Sequence, residues 1–175
     1  MSRAFSPETP PRPAAPADVA AITAIYNHYV AHTIVTFEEE PVVQADMAAR
    51  LDTVVSAGWP WLVVEEAGAI AGYSYAAPWK ARSGYRFSAE ITVYLDPART
   101  ARGLGTVLYQ QLFTLLRSKG VHAAIGGIAL PNDASVALHE KLGMRKVAHF
   151  EQVGFKLGRW IDVGYWQMLL DRQSR

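Results

Sequence analysis

The segment from Ala89 to Lys119 constrains this chain more than any other. An apolar strand, Ile91-Thr92-Val93-Tyr94-Leu95, leads through Asp96-Pro97 into a basic glycine turn, Arg99-Thr100-Ala101-Arg102-Gly103-Leu104-Gly105, and then a helical pattern. Leu104, Val107, Leu108, Leu112, Leu115 and Leu116 recur at three- and four-residue spacing, which puts them on one helix face, and Lys119-Gly120 supplies a basic last turn and a stop. The helix therefore starts at the glycines. Glycine lets backbone approach a ligand closely, and free N–H groups at a helix N-terminus favour negative charge. The turn thus suits a phosphate or pyrophosphate, with Arg99 and Arg102 beside it, although a tight strand-to-helix connection that binds nothing has the same spacing. A dinucleotide fingerprint would need a third glycine where Leu108 stands, and the Gly-Lys-Ser/Thr of a Walker loop is absent. Rossmann and P-loop domains are disfavoured.

A chain of 175 residues is most simply one domain, large enough to bury a core without staples. Its formal net charge of +1 gives no global attraction to nucleic acid or to an anionic membrane, so neither is expected as a partner. Without cysteine there is no disulfide, thiolate metal site or sulfur nucleophile. No apolar run is long enough to span a bilayer and the N-terminus lacks a secretory core, so a cytoplasmic protein is expected. Pro7, Pro10, Pro11, Pro13 and Pro16 mark residues 1–16 as an extended, disordered lead, with one domain over 17–172.

Along that domain, Val19, Ile22, Ile25, Tyr26 and Tyr29 make a first helical stripe ending near His32, and Met47, Leu51, Val54 and Val55 mark a second helix closed by Gly58 and Pro60. Trp61 to Glu65 and Ile70 to Ala76 form a hairpin joined at Ala67-Gly68. After the organising segment, Ala123 to Leu130 reads as a strand interrupted by Gly126-Gly127, Ser135 to Leu142 as a short helix, and Lys146 to Leu170 as a closing hairpin around Leu157-Gly158-Arg159. Adjacent hairpins mixed with helical crossovers predict an α+β fold with a mixed sheet.

Strand alternation puts Ser88, Glu90, Thr92 and Tyr94 on one face, opposite Ala89, Ile91, Val93 and Leu95. Glu90 is then either an exposed strand-edge carboxylate or one beside a ligand, its pKa raised by partial burial. His139 follows the polar loop Pro131-Asn132-Asp133 and is either a packed or surface histidine or a base. Asn132 can cap that helix or hold a ligand. Lys80, Arg82 and Arg86, among Trp79 and Tyr85, form either a solvated basic loop or a clamp for an oxyanion. His28 and His32 stand at helical spacing for zinc, but no zincin Glu accompanies them, and no metal is expected.

The ordered run Tyr26-Asn27-His28-Tyr29, Pro60-Trp61-Leu62-Val63, Pro78-Trp79-Lys80-Ala81-Arg82, Ala89-Glu90, Thr92-Val93-Tyr94, Gly103-Leu104-Gly105, Leu130-Pro131-Asn132-Asp133, Ser135, His139-Glu140 and Gly154-Phe155-Lys156 resembles the GNAT N-acetyltransferase superfamily, and within it the phosphinothricin-type amino-acid N-acetyltransferases. The resemblance spans about Ile22 to Leu170. It implies the GNAT fold, a central, mostly antiparallel twisted sheet flanked by helices, and direct acetyl transfer from acetyl-CoA to the α-amine of a small amino-acid-like acceptor. It further implies backbone contacts from Val93, Tyr94 and Leu95 to the cofactor arm, a pyrophosphate on Arg102, Gly103, Leu104, Gly105 and Thr106, and cofactor contacts from Asn132 and Ser135. Glu90 and His139 would handle protons, and Phe37, Lys80, Arg82, Tyr85 and Thr92 would line the acceptor pocket. A homodimer is implied as well. The sequence departs from the superfamily pattern at Thr100, where Gln or Arg is usual, so backbone N–H groups are expected to do most of the pyrophosphate binding. The acceptor loop departs at Ser83-Gly84 and Arg86-Phe87.

Overall fold

The computed structural model describes residues 10–170. Its strands β1 (Arg12–Pro13), β2 (Trp61–Glu66), β3 (Ala69–Pro78), β4 (Ser88–Leu95), β5 (Ala123–Leu130), β6 (Arg145–Lys156) and β7 (Arg159–Leu169) form one sheet in the order β1-β2-β3-β4-β5-β7-β6. Every neighbouring pair is antiparallel except β4 and β5, which are parallel. The helices are α1 (Val19–His32), α2 (Gln44–Ser56), α3 (Leu104–Ser118) and α4 (Asp133–Lys141). This is the α+β arrangement with a mostly antiparallel sheet that the sequence predicts.

The alternation along β4 decides which helix covers which face. Ala89 and Ile91 are buried with Leu104, Leu108, Leu112 and Leu116 of α3, each leucine 0% exposed, so each stabilises the fold by roughly 1.5–3 kcal/mol relative to an exposed side chain. Tyr94, on the other face, packs with Ile22, Ile25 and Tyr26 of α1. Both hairpin turns fall where expected. Ala67 and Gly68 have φ of 52° and 74°, and Leu157 and Gly158 have 50° and 74°, which is the pair of positive values that a two-residue turn needs to follow the strand twist.

Two expectations need correction. Residues 1–9 of the proline-rich lead lie outside the described residues, but Arg12 and Pro13 are not disordered: they pair with Val63 and Leu62 at the sheet edge, a position that tolerates proline. The anchor is electrostatic. The Arg12 guanidinium donates two bonds of 2.8 Å to Asp18 and also bonds Glu65 on β2 at 2.9 Å. Gly126-Gly127 does not interrupt β5 either, because its ladder to β7 runs unbroken from Ala123↔Leu169 to Leu130↔Asp162.

The β4–β5 ladder is short. It pairs only Ser88↔Ala123, Ala89↔Ala124 and Glu90↔Ile125, after which the facing edges of the two strands have no backbone partner in each other. Along β4 the antiparallel ladder alternates, and Asp96 N–H bonds Ala71 on the β3 side. Tyr94 and Thr92 therefore turn their backbone groups to β3, whereas Val93 and Leu95 turn theirs into the gap. Parallel strands joined over only three residues thus leave polar backbone unspent in the middle of the sheet.

Candidate active site

The gap between β4 and β5 opens into two adjoining clefts. The larger, about 580 Å³, runs from Val93 and Leu95 past Gly103, Gly105 and Thr106 to Lys141 on α4. The smaller, about 270 Å³, is walled by Phe37, Glu90, Thr92, Tyr109, His139 and Tyr165 among others. Val35, Val93, Tyr94, Asn132 and Ser135 wall both, so the two spaces meet at Val93.

At the larger cleft, Gly103 caps α3 from the left-handed region at φ 78°, a conformation that favours glycine, two residues after Ala101, which is left-handed too at φ 61°. The first-turn N–H groups of α3 have no acceptor inside the helix and carry the positive end of its dipole. Gly105 serves packing as well as approach: a β-carbon there would stand 2.9 Å from Leu138 of α4. Leu104 is wholly buried, so its side chain belongs to the core and only its backbone faces the turn. The two arginines of the turn are engaged elsewhere. Arg102 bonds Glu66 at 3.0 Å, and Arg99 bonds the Glu66 carbonyl and lies 3.4 Å from Asp96. Backbone dipoles and Lys141 are what the cleft itself offers an anion, in keeping with Thr100 standing on its wall. Tyr94 walls the cleft but spends its backbone on β3, and the Leu95 carbonyl accepts the Tyr29 hydroxyl at 2.7 Å. The N–H groups of Val93 and Leu95 are the strand donors that remain toward the gap.

His139 and Glu90 enter the smaller cleft from opposite faces of the sheet. Asn132 caps α4, its Oδ1 accepting Ser135 N–H at 3.1 Å, which resolves its role as at least a cap. One turn later, His139 Nδ1 donates to the Ser135 carbonyl at 2.7 Å, which leaves Nε2 as the unprotonated nitrogen, 3.4 Å from the Tyr109 hydroxyl. His139 is 2% exposed; burial lowers its pKa and outweighs the opposing pull of the Ser135 carbonyl, so the ring is neutral with a lone pair on Nε2. Glu90 is half-buried on the Thr92 face, where burial raises its pKa and the positive charge of Lys80 opposes that rise. A carboxylate and a neutral imidazole, both with displaced titration, thus border one small polar space.

The acceptor-loop residues are placed differently from the rest. Phe37 and Thr92 wall the smaller cleft. Lys80 stacks 4.7 Å over Trp79 and lines a neighbouring groove that shares Tyr165 with the cleft. Arg82 and Tyr85 are exposed and line neither cleft. Among the described residues no cluster of three or more His, Cys, Asp or Glu could hold a metal, and no helix is long and apolar enough to cross a membrane.

Sequence reasoning missed Tyr109, Tyr29, Tyr165 and Lys141. Tyr109 sits on the same helical stripe as Leu112 and Leu116 and reads as core; only the depth of His139 shows what its hydroxyl meets. Tyr29 carried a signal, as part of the Tyr26-Asn27-His28-Tyr29 match, but not its partner across the chain at Leu95.

A family model described as an acetyltransferase (GNAT) domain matches residues 12–164, and so takes in the β1 anchor at Arg12. The chain is 41% identical over 166 residues to a phosphinothricin N-acetyltransferase of Streptomyces viridochromogenes, covering 93% of this chain and 90% of that one. It is 39% identical over 158 residues to an L-methionine sulfoximine/L-methionine sulfone acetyltransferase of Salmonella typhimurium, covering 90% and 92%. An acetyltransferase structure from Salmonella typhimurium, solved with its cofactor acetyl-CoA, superposes with a TM-score of 0.90 at 38% identity over 94% of this chain and 95% of that one. A family model over most of the chain and relatives about 40% identical across nine-tenths of it show that the chain belongs to the acetyltransferase (GNAT) family.

Proposed function

We propose that the chain transfers the acetyl group of acetyl-CoA to the α-amine of a small amino-acid-like acceptor of the phosphinothricin, methionine sulfoximine or methionine sulfone type. The observation that carries this reading is the junction of the two clefts at Val93, where unspent strand backbone meets Glu90 and His139. The larger cleft takes the cofactor: its pyrophosphate lies on the first turn of α3 from Gly103 to Thr106, and its arm runs along the free edge of Val93 and Leu95. The Val93 N–H, on the wall both clefts share, would donate to the acetyl oxygen as it gains charge during attack on the carbonyl.

The amine must lose a proton before its lone pair can attack. A C–N bond then forms, the C–S bond breaks with the pair going to sulfur, and the proton that the nitrogen gives up in becoming an amide balances the one the leaving thiolate takes up. Glu90 and the Nε2 lone pair of His139 are the groups that hold protons in this space, and such assistance typically contributes about 10²–10⁴-fold. Lys80, Arg82 and Tyr85 act in this reading by closing over the oxyanion or oxidised-sulfur end of the acceptor, from a loop whose Lys80 already acts on Glu90. A panel of amines with a thiol-release readout tests the assignment. Turnover confined to phosphinothricin and the oxidised methionine analogues is expected; selective turnover of a polyamine or of a protein N-terminus overturns it.

A homodimer fits the far edge of the sheet. Phe150, Val153, Phe155, Leu157 and Trp160 of the β6–β7 hairpin are 51–62% exposed, an apolar set that a second copy would cover. A mass measurement in solution decides it, a monomer at micromolar concentration being the contrary result. The cytoplasm is the compartment this reading implies, since acetyl-CoA is available there and a chain without cysteine needs no oxidising environment.

A further inference from the structure

Lys156, near the end of β6, is 2% exposed, and its ammonium donates to the Thr36 carbonyl at 2.7 Å and to the Tyr29 carbonyl at 3.4 Å. Among the described residues it forms no ion pair; Glu38 and Glu39 act on it only at a distance, and burial lowers its pKa. A buried charge without a counter-ion is costly. Here it is offset by two backbone carbonyls, one of which belongs to the last turn of α1, the negative end of that helix dipole. The family match and the acetyl-transfer chemistry leave this lysine without a role.

Its location supplies one. Lys156 belongs to the β5-β7-β6 side of the gap, whereas Tyr29 belongs to α1, packed on the β2-β3-β4 side, and Thr36 to the connection after it, whose Val35 packs with the α1 cluster and whose Ile34 packs with Ala129 of β5 and Ile161 of β7. Where the β4–β5 ladder has ended, this ammonium joins the two sides. Thr36 is held from its own side as well, its hydroxyl lying 2.8 Å from that of Tyr26. Immediately beyond, the Phe37 ring lies on Gly154 of β6 so closely that a β-carbon there would overlap it. Val35, Thr36 and Phe37 all wall the smaller cleft. The two contacts from β6, with Ile34 buried against β5 and β7 just before them, therefore hold that wall. Loss of the ammonium would act mainly at Thr36, because the Tyr29 carbonyl also accepts the N–H and the hydroxyl of Thr33, at 3.2 and 2.9 Å.

We propose that Lys156 is a positioning residue that sets acceptor selectivity, holding residues 35–37 against β6 so that the smaller cleft keeps the width of a short amino-acid side chain. The inference rests on reading that cleft as the acceptor site. It separates Lys156 from the groups that meet the acetyl unit, and it assigns the neighbouring Gly154 the same task from beneath Phe37.

The test uses the full chain with acetyl-CoA and a panel running from methionine sulfone to bulkier amino acids. Lys156→Met keeps the stem and removes the donors. It is expected to raise KM for methionine sulfone about tenfold and to narrow discrimination against the bulkier amines, while calorimetric acetyl-CoA affinity stays within about twofold of wild type. Lys156→Arg, which keeps charge and donors, is expected to recover part of the selectivity. Gly154→Ala displaces Phe37 with Lys156 in place and should reproduce the selective acceptor defect even if Lys156→Met does not fold. Equal losses in acceptor and acetyl-CoA binding in Gly154→Ala and in whichever Lys156 variant folds, or wild-type selectivity in both, overturn the proposal. If the wild type acetylates no amine in the panel, the acceptor reading falls and the inference with it; if it does and the variants keep its selectivity, the inference alone falls.

Discussion

A β-carbon on residue 126 would stand 2.5 Å from Nε2 of His139, so Gly126 and His139 share one volume and a side chain at 126 must displace the imidazole. The imidazole reaches the cleft through the space that a strand residue would ordinarily fill. Gly126→Ala is therefore expected to turn His139 away and to lower kcat/KM by a factor approaching that of His139→Ala, about 10²-fold if the ring serves in proton transfer. Steady-state assays of both single variants and the double variant check this. Residues acting as one unit give a double variant no worse than the worse single; additive losses would separate the two.

The acid limb of the pH–rate profile carries a second prediction. Glu90 acts as a base only when ionised, and burial raises its pKa, so activity should rise with pH above the ordinary carboxylate range. Burial lowers the His139 pKa, so any limb set by its ring lies below the usual histidine range. Lys80 favours the ionised carboxylate, so its removal raises the Glu90 pKa further. Lys80→Met should displace the limb to higher pH, and Glu90→Gln should abolish it with a loss of about 10²–10⁴-fold. A limb that stays in place in Lys80→Met contradicts the electrostatic link.

How much of this was legible in the sequence depends on the kind of interaction. Leu104, Leu108, Leu112 and Leu116 announce α3 because helix periodicity is local, and Ala67-Gly68 announces a hairpin because turn chemistry is local. Gly126-Gly127 misled for the same reason. Locally, two glycines weaken a strand; in the fold they make room for His139 on one face and for Tyr165, 3.1 Å from a β-carbon on residue 127, on the other. Arg102 beside a glycine turn reads as an anion contact until the β2–β3 hairpin brings Glu66 to it, 36 residues away in sequence. Glu90 and His139 were each visible as candidates, but their convergence follows from the β4–β5 parting, which no spacing encodes.

The N-terminal anchor gives a stability prediction. Asp18 is nearly buried; the bonds from Arg12 hold its carboxyl below the usual range, helped by the Ala15 N–H and opposed by burial. A depressed folded pKa contributes stability that is present above the unfolded value and lost as pH falls through the folded one. Arg12→Ala should therefore destabilise at neutral pH by about 1–3 kcal/mol, toward the lower end because the Arg12 side chain is 39% exposed. Thermal unfolding at stepwise lower pH tests it: the gap to wild type should shrink as Asp18 protonates in both. A gap independent of pH would mean that Arg12 acts through packing alone.

Glu66 offers the last prediction, because it occupies the two arginines that the glycine turn would otherwise present to an anion. Its carboxylate lies 3.0 Å from Arg102 and 3.6 Å from Arg99. If backbone N–H groups at the start of α3 do most of the pyrophosphate binding, Arg102→Ala removes a cation already neutralised and should change KM for acetyl-CoA by less than about threefold. Glu66→Gln should do the opposite, releasing Arg102 and tightening acetyl-CoA binding by a few-fold at low salt. Screening at about 0.15 M ionic strength, where the Debye length is about 8 Å, should erase most of that gain. Calorimetric titration at two salt concentrations reads both effects. A large loss in Arg102→Ala would place the guanidinium on the pyrophosphate after all, with Glu66 as the group it leaves on binding.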